Sequence, residues 1–121
     1  MKKVLIAIDY DQTAQKVANA GFAMARDMNA EVILLHVISN PVLYYSSYMV
    51  MVPVQINSVG DLKAVSQKFL DKTKHDLGDE TIQTIIKEGD TAEAILDSAK
   101  KLKVDIIVMG THSRIEIKYL N

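Results

Sequence analysis

Short apolar runs separated by amphipathic segments are the feature that most constrains the fold of this chain. The runs cover residues 4–8, 32–37 and 106–109, and only His36 interrupts them. A strand that is apolar at every position is covered on both faces, which is typical of a parallel sheet. A fourth run, residues 81–86, alternates polar and apolar side chains and is expected to be a half-exposed edge strand.

The segments between these runs carry apolar residues at offsets of three and four, the pattern of amphipathic helices. They predict helices over residues 14–28, 62–70 and 92–102. Asp90 and Glu93 form a capping-box pattern at the start of the third helix, and Gly78 suits the left-handed position after the second. The alternation predicts an α/β fold with an open parallel sheet, helices on both faces and strand order 3-2-1-4.

This strand order also predicts where a ligand would bind. The chain reverses its winding between strands one and four, and open α/β sheets bind ligands beyond the strand ends at such a point. Asp9 and Asp11 follow strand one, and a second group follows strand four: Gly110, Thr111, His112 and Ser113. We expect Asp9 to accept a hydrogen bond from a ligand hydroxyl, Asp11 to cap the first helix, and Gly110 to allow close approach of a ligand.

Size and composition exclude several classes of protein. The 121 residues suit a single domain, and 14 Lys and Arg against 15 Asp and Glu leave a net charge of -1, so nucleic acid is not an expected partner. The chain has no cysteine, which excludes disulfide scaffolds, thiolate zinc sites and cysteine nucleophiles. No apolar run approaches the roughly 18 residues that a membrane span needs. A cytoplasmic location without a membrane partner is therefore expected.

Asp9, Asp11 and Thr13 have the Asp-x-Asp-x-Thr form of phosphatases that use an aspartate nucleophile. Gly89-Asp90-Thr91 resembles the magnesium-binding acidic motif of the same haloacid-dehalogenase-like group. That chemistry also needs a lysine between the two motifs and usually a larger scaffold. A small Mg²⁺-dependent phosphatase using Asp9 is therefore the least favoured alternative.

Two other features have competing interpretations. His36 lies inside an apolar strand and is interpreted as a core histidine bonded to a neighbour rather than a ligand-binding residue. Residues 39–57 form a long connection rich in Tyr and Met, and it is either a lid or partner-contacting flap or a loop folded onto its own domain. Dinucleotide-binding, P-loop and nucleophile-elbow motifs are absent from the sequence.

The runs at residues 4–9, 30–37, 89–95 and 104–112 together resemble the universal stress protein family over nearly the whole chain. The resemblance implies an adenine-nucleotide site, with ATP and possible Mg²⁺ as the ligand. In that site Ala7, Ile8 and Asp9 border the adenosine, and Val37 offers backbone atoms to adenine. The ribose and phosphate side is then formed by Met109, Gly110, Thr111, His112 and Ser113.

The sequence departs from the family pattern at its end. Ser113 stands where the nucleotide-binding branch has a second glycine, and the final Gly-Ser pair would fall beyond Asn121. We therefore expect a single, C-terminally truncated domain over residues 1–121, whose fifth strand is missing or supplied by a partner. Strand four would then be an exposed edge that favours a homodimer or homo-oligomer. Residues 115–119 alternate with period two and offer an improvised strand instead.

Two main functional hypotheses remain. The first is an adenine-nucleotide-binding stress-response module with an incomplete phosphate loop, non-catalytic or at most a weak ATPase. The second is a dimeric interaction module that works without nucleotide.

Overall fold

A computed structural model describes residues 2–39, 59–111 and 114–120. These described residues form three helices and five strands, in the order β1 (Lys3–Ala7), α1 (Ala14–Asp27), β2 (Glu31–Ile38), α2 (Val59–Leu77), β3 (Gln83–Glu88), α3 (Thr91–Leu102), β4 (Ile106–Thr111) and β5 (Arg114–Tyr119). The sheet order is β3-β2-β1-β4-β5. The pairs β1–β2, β1–β4 and β2–β3 are parallel. The predicted α/β fold and the order 3-2-1-4 are confirmed.

The expectation that the fifth strand is missing or comes from a partner is wrong. Residues 114–119 form β5, which pairs antiparallel with β4 and sets Val108 opposite Ile117. The period-two alternation of this segment is the pattern of a strand, and pairing satisfies the backbone groups along β4. The free edges of the described sheet are therefore β3, as predicted, and β5.

Each face of the sheet carries its own apolar cluster. Val4 and Ile6 of β1, and Ile8 directly after it, pack with residues of α1 and α2, whereas Leu5 and Ala7 pack with residues of α3. Successive side chains of a strand point to opposite faces, so an uninterrupted apolar run supplies both clusters at once. This is why the apolar runs in the sequence correspond to the central strands.

The helix ends agree only in part with the capping predictions. The Asp90 carboxylate accepts a hydrogen bond from the Glu93 backbone N–H at 3.0 Å, and Gly78 follows α2 with φ of 76°. The N-cap of α1 is Thr13, so the prediction for Asp11 is wrong. Asp11 instead accepts hydrogen bonds from the backbone N–H and the hydroxyl of Thr13, at 2.8 Å and 2.7 Å, and stabilises the turn before the helix.

Asp105 connects three segments at the amino end of β1 and β4. Its carboxylate accepts a hydrogen bond from the Lys3 backbone N–H at 2.9 Å, and its own N–H donates to the Lys3 carbonyl at 2.9 Å. The N–H of Leu120 donates to the Asp105 carbonyl at 2.9 Å. One residue therefore links the start of β1, the start of β4 and the end of β5.

Several predictions fall outside the described residues. These are His112, Ser113 and all of the connection 39–57 except Ser39. None of the described helices is long and apolar enough to cross a membrane.

Candidate functional site

A cavity of about 590 Å³ opens at the carboxyl ends of β1, β2 and β4. It lies at the point where the winding reverses between β1 and β4, the position that the strand order predicts for a ligand. Its described lining consists of Ala7, Ile8, Asp9, Asp11, Gln12, Thr13, Leu35, Val37, Thr91, Ile95, Met109 and Gly110.

The structure brings together most of the residues that were predicted to bind a nucleotide. The six that line the cavity are Ala7, Ile8, Asp9, Val37, Met109 and Gly110. Thr111 ends β4, and His112 and Ser113 lie outside the described residues. The tips of β1 and β4 thus lie side by side, as the functional interpretation requires.

Sequence reasoning did not assign Gln12, Leu35, Thr91 and Ile95 to the site. Leu35 is two positions before Val37 in β2, so strand alternation would have placed both on one face. Ile95 belongs to the predicted apolar stripe of α3, and Thr91 begins that helix. Gln12 has no comparable signal in the sequence.

The floor of the cavity is a row of apolar side chains across three strands. Ala7 of β1 is paired with Leu35 of β2 on one side and with Met109 of β4 on the other. Because paired residues in neighbouring strands share a face, these three form a continuous surface. The small side chain of Ala7 at its centre leaves room for a flat apolar ring.

Asp9 provides a carboxylate at the rim of this floor. It shares a face with Ala7, two positions earlier, while Ile8 packs on the opposite face. The side chain is exposed, yet partial desolvation by the surrounding chain raises its pKa; His36 opposes this shift and Asp11 adds to it. Asp9 can therefore accept a hydrogen bond from a ligand hydroxyl.

A glycine is needed at position 110 for a packing reason that the sequence did not reveal. A Cβ at this position would lie 2.7 Å from Cγ2 of Val17, on the face covered by α1. The glycine thus allows β4 and α1 to approach closely, and its backbone lines the cavity on the other side. The predicted role in ligand approach remains a prediction.

Two helix starts border the cavity, at Thr13 before α1 and at Thr91 of α3. The first-turn N–H groups of a helix carry partial positive charge and attract anions. The charged side chains of the described lining are both acidic, Asp9 and Asp11. Any anionic group of a ligand is therefore expected near the helix starts rather than beside these carboxylates.

The phosphatase alternative gains little from this geometry. Its required lysine is not among the described residues that line the cavity, and the Asp90 carboxylate is used as the cap of α3. Residues 2–39, 59–111 and 114–120 contain no group of three or more His, Asp or Glu side chains suited to a metal ion.

His36 is confirmed as a core histidine. It is fully buried in β2, its Nδ1–H donates to the Ile8 carbonyl at 2.8 Å, and its ring meets the Phe69 ring edge-on at a centroid distance of 5.9 Å. A carbonyl can only accept, so Nδ1 carries the proton. Burial lowers the pKa of His36, and the bond to Ile8 and the nearby Asp9 carboxylate oppose that shift.

A model of the universal stress protein family matches residues 1–120. Universal stress protein A of Escherichia coli (strain K12) is 29% identical over 118 residues, which cover 92% of this chain and 76% of the relative. Universal stress protein A homolog 1 of Coxiella burnetii is 28% identical over 112 residues, with the same two coverages.

Solved structures share the fold. One is a hypothetical protein whose biochemical function was assigned from its structure; it superposes with a TM-score of 0.68 at 28% identity and covers 93% of this chain and 76% of its own. A universal stress protein in complex with cAMP has a TM-score of 0.57 at 16% identity, covering 88% and 69%, and at that identity it shows the fold alone.

Proposed function

This chain belongs to the universal stress protein family, and we propose that it is an adenine-nucleotide-binding member whose ligand occupies the cavity at the tips of β1 and β4. The observation that carries the proposal is the apolar floor of Leu35, Ala7 and Met109 with the Asp9 carboxylate at its rim. A cavity of about 590 Å³ falls within the usual range of small-molecule sites, about 300–1,000 Å³. A family member that was solved with cAMP supports the ligand class.

Each part of a nucleotide has a partner in this arrangement. The adenine ring would lie on the apolar floor, where the backbone of Val37 can discriminate its polar edge. A ribose hydroxyl would donate to Asp9. The phosphates would lie toward Gly110 and the helix starts at Thr13 and Thr91, with the backbone of Thr111, His112 and Ser113 as the further donors that we propose.

The phosphate end is the weakest part of the proposed site. Asp9 and Asp11 place two negative charges in the lining, and Ser113, where the family pattern has a glycine, is a residue type that resists positive φ. A lost hydrogen bond to a charged group costs about 1.5–3 kcal/mol, or roughly ten- to a hundredfold in affinity. We therefore propose weak ATP binding that depends on Mg²⁺ as the counter-ion of the phosphates, and a role without catalysis or with at most weak ATP hydrolysis.

Isothermal titration calorimetry with ATP plus Mg²⁺, AMP, cAMP and adenosine tests this proposal. We expect saturable heat with the wild type and its loss in Asp9→Ala. Asp97→Ala is the matched control, because Asp97 is an exposed carboxylate paired with Lys101 on α3, outside the described cavity lining. Absence of saturable heat with all four compounds, or unchanged binding in Asp9→Ala, would contradict the proposed site. A cytoplasmic location stays a prediction.

The free edge of β5 supports self-association as a second proposed property. β5 is exposed along its length and presents Ile115, Ile117 and Tyr119 as a row on one face. An edge strand offers unpaired backbone groups to another strand. We propose a homodimer in which β5 pairs antiparallel with the β5 of a second copy. This dimer does not need nucleotide, so it is also compatible with the hypothesis of a dimeric interaction module that works without nucleotide.

The charges on β5 favour a pairing register with Ile117 on the two-fold axis over one with Glu116 on the axis. With Ile117 on the two-fold axis, Glu116 lies opposite the partner's Lys118, and Ile115 lies opposite the partner's Tyr119. With Glu116 on the axis, Glu116 lies opposite its own copy and Arg114 lies opposite the partner's Lys118, so like charges meet. Opposite charges directly across strands stabilise pairing and like charges oppose it.

A charge exchange tests the dimer and its register together. Lys118→Glu places two pairs of like charges across the axis and is expected to raise the dimer dissociation constant by about tenfold, whereas Glu116→Lys combined with Lys118→Glu restores it. Sedimentation equilibrium measures both effects. A wild type that stays monomeric at high concentration contradicts the dimer, and a dimer that ignores Lys118→Glu contradicts the register centred on Ile117.

A further inference from the structure

Asp9 lies between two residues that are held from the opposite face of the sheet. Ile8 comes before it and packs among α1 and α2, while Tyr10 comes after it and contacts residues of α2. Asp9 itself lines the cavity on the face covered by α3. The direction of the Asp9 carboxylate therefore depends on how its two neighbours are anchored.

Ile8 is held by a last hydrogen bond of the sheet ladder and by a buried side chain. β1 ends at Ala7, and the Ile8 N–H still donates to the Leu35 carbonyl at 2.9 Å. The Ile8 carbonyl accepts the hydrogen bond of the buried His36 ring, at 2.8 Å. His36 thus fixes the peptide that leads directly into Asp9.

The anchor of Tyr10 is an aromatic contact that leads back to the same histidine. The rings of Tyr10 and Phe69 lie 4.8 Å apart between centroids, and Phe69 meets the His36 ring at 5.9 Å. Phe69 belongs to α2, so one helix residue contacts the anchors on both sides of Asp9. Aromatic pairs at these distances contribute beyond the area that they bury.

We propose that His36 and Phe69 are positioning residues that hold residues 8–10 so that the Asp9 carboxylate is directed into the nucleotide cavity. Neither residue is part of the described lining. The inference rests on the proposed nucleotide site for its effect on affinity, but the anchoring of residues 8–10 is measurable without any ligand. It also makes the position of α2 a determinant of the site on the other face of the sheet.

Two substitutions at position 36 separate hydrogen bonding from shape. His36→Asn and His36→Leu have the same branching at Cγ, but only Asn carries an amide N–H near the position of Nδ1. We expect His36→Leu to raise the dissociation constant for the nucleotide by about tenfold or more, and His36→Asn to stay within about threefold of the wild type. Equal weakening in the two variants, or no weakening in either, would overturn the proposal.

Two further variants keep the test decisive if His36→Leu does not fold. Phe69→Leu removes the ring that contacts both His36 and Tyr10, and it is expected to weaken binding by about threefold or more. Leu70→Val is the matched control, since Leu70 is a buried neighbour on α2 that packs in the cluster with Ile8 and Val4. Its dissociation constant should not change; weakening there as large as in Phe69→Leu would assign the effect to general loosening of α2.

Amide hydrogen exchange in the free protein tests the anchoring independently. The Ile8 N–H bonds Leu35, and the Asp11 N–H bonds the Asp9 carbonyl at 2.9 Å, so both report on this segment. Both amides should exchange faster in His36→Leu than in His36→Asn. If the wild type binds no nucleotide, the proposed function fails and this measurement alone decides the anchoring: faster exchange in His36→Leu supports it, and equal exchange overturns it.

Discussion

The two faces of the sheet use the same strands but differ in how far they are filled. On the face of α1 and α2, alternate side chains of β1 and β4 pack into a cluster that extends past the end of β1 to Ile8. On the face of α3, the cluster stops at Ala7 and Met109, and the cavity begins there. The packed face thus fixes the backbone, and the open face is free to carry polar groups.

The largest expected effect comes from truncating a buried side chain on the packed face, which leaves an empty space there. Ile6 is fully buried, and Ile6→Ala should lower the free energy of unfolding by about 3 kcal/mol. Met109→Ala, on the open face, should cost about half as much because that side chain already borders the cavity. Urea unfolding of the two variants measures the difference. Equal losses would mean that the two faces are filled alike.

A methyl group at Gly110 is expected to act on the packed face although this residue borders the cavity. Gly110→Ala sets a Cβ against Val17 and should cost about 1–3 kcal/mol through overpacking. Combining it with Val17→Ala should cost less than the sum of the two single changes, by about 0.5 kcal/mol or more. Additive losses in thermal or urea unfolding would show that the contact with Val17 is not the cause.

Removing the cap of α3 should have a smaller effect, confined to the open face. Asp90→Ala loses the hydrogen bond to the Glu93 N–H and is expected to lower the free energy of unfolding by about 1 kcal/mol. Asp97→Ala, on the exposed side of the same helix, breaks only the pair with Lys101 and should cost about 0.3–0.5 kcal/mol. Faster amide exchange in the first turn of α3 should accompany the first change only.

The smallest effects are opposite slopes of stability with pH. Burial lowers the pKa of His36 below its ordinary 6.5, so the unfolded chain takes up this proton first and stability falls as pH decreases below 6.5. Desolvation raises the pKa of Asp9 above 3.8, so its ionisation disfavours the folded state and stability falls as pH rises through the folded pKa.

Paired variants isolate these two slopes. His36→Asn should flatten the acid-side loss of stability. Asp9→Asn should gain stability relative to the wild type at neutral pH, and that gain should shrink as pH falls toward 3.8. Urea midpoints between pH 4 and pH 8, against the wild type, measure both. A shared sign for the two residues would contradict the assignment of one to the packed face and the other to the open rim.

The central strands, and with them the positions of Asp9 and Gly110, could be predicted because they depend on one-dimensional patterns, whereas Ala7, Ile8, Val37 and Met109 were assigned from the family resemblance. Apolar runs mark strands that are covered on both faces, and parallel strands bring their carboxyl ends to one edge of the sheet. The floor of Leu35, Ala7 and Met109 needed the strand register as well, which the sequence does not carry.

The wrong or incomplete predictions concern features that depend on three-dimensional contacts. The pairing of β5 with β4 requires the chain to fold back, which short-range alternation permits but does not require, so residues 115–119 were predicted only as an alternative strand. The N-cap of α1 is Thr13 and not Asp11, so it lies two residues later than predicted. The neighbour that makes Gly110 necessary, Val17, is distant in the sequence and becomes visible only when α1 lies on the sheet.

The links made by Asp105 have a consequence for how a ligand enters. Lys3, Asp105 and Leu120 join β1, β4 and the end of β5 at the amino end of β1 and β4, remote from the cavity. Opening of residues 8–13 at the carboxyl end of β1 can therefore remain a local fluctuation while the strands stay joined. Ligand entry and the stability of the folded state therefore depend on opposite ends of the same strands.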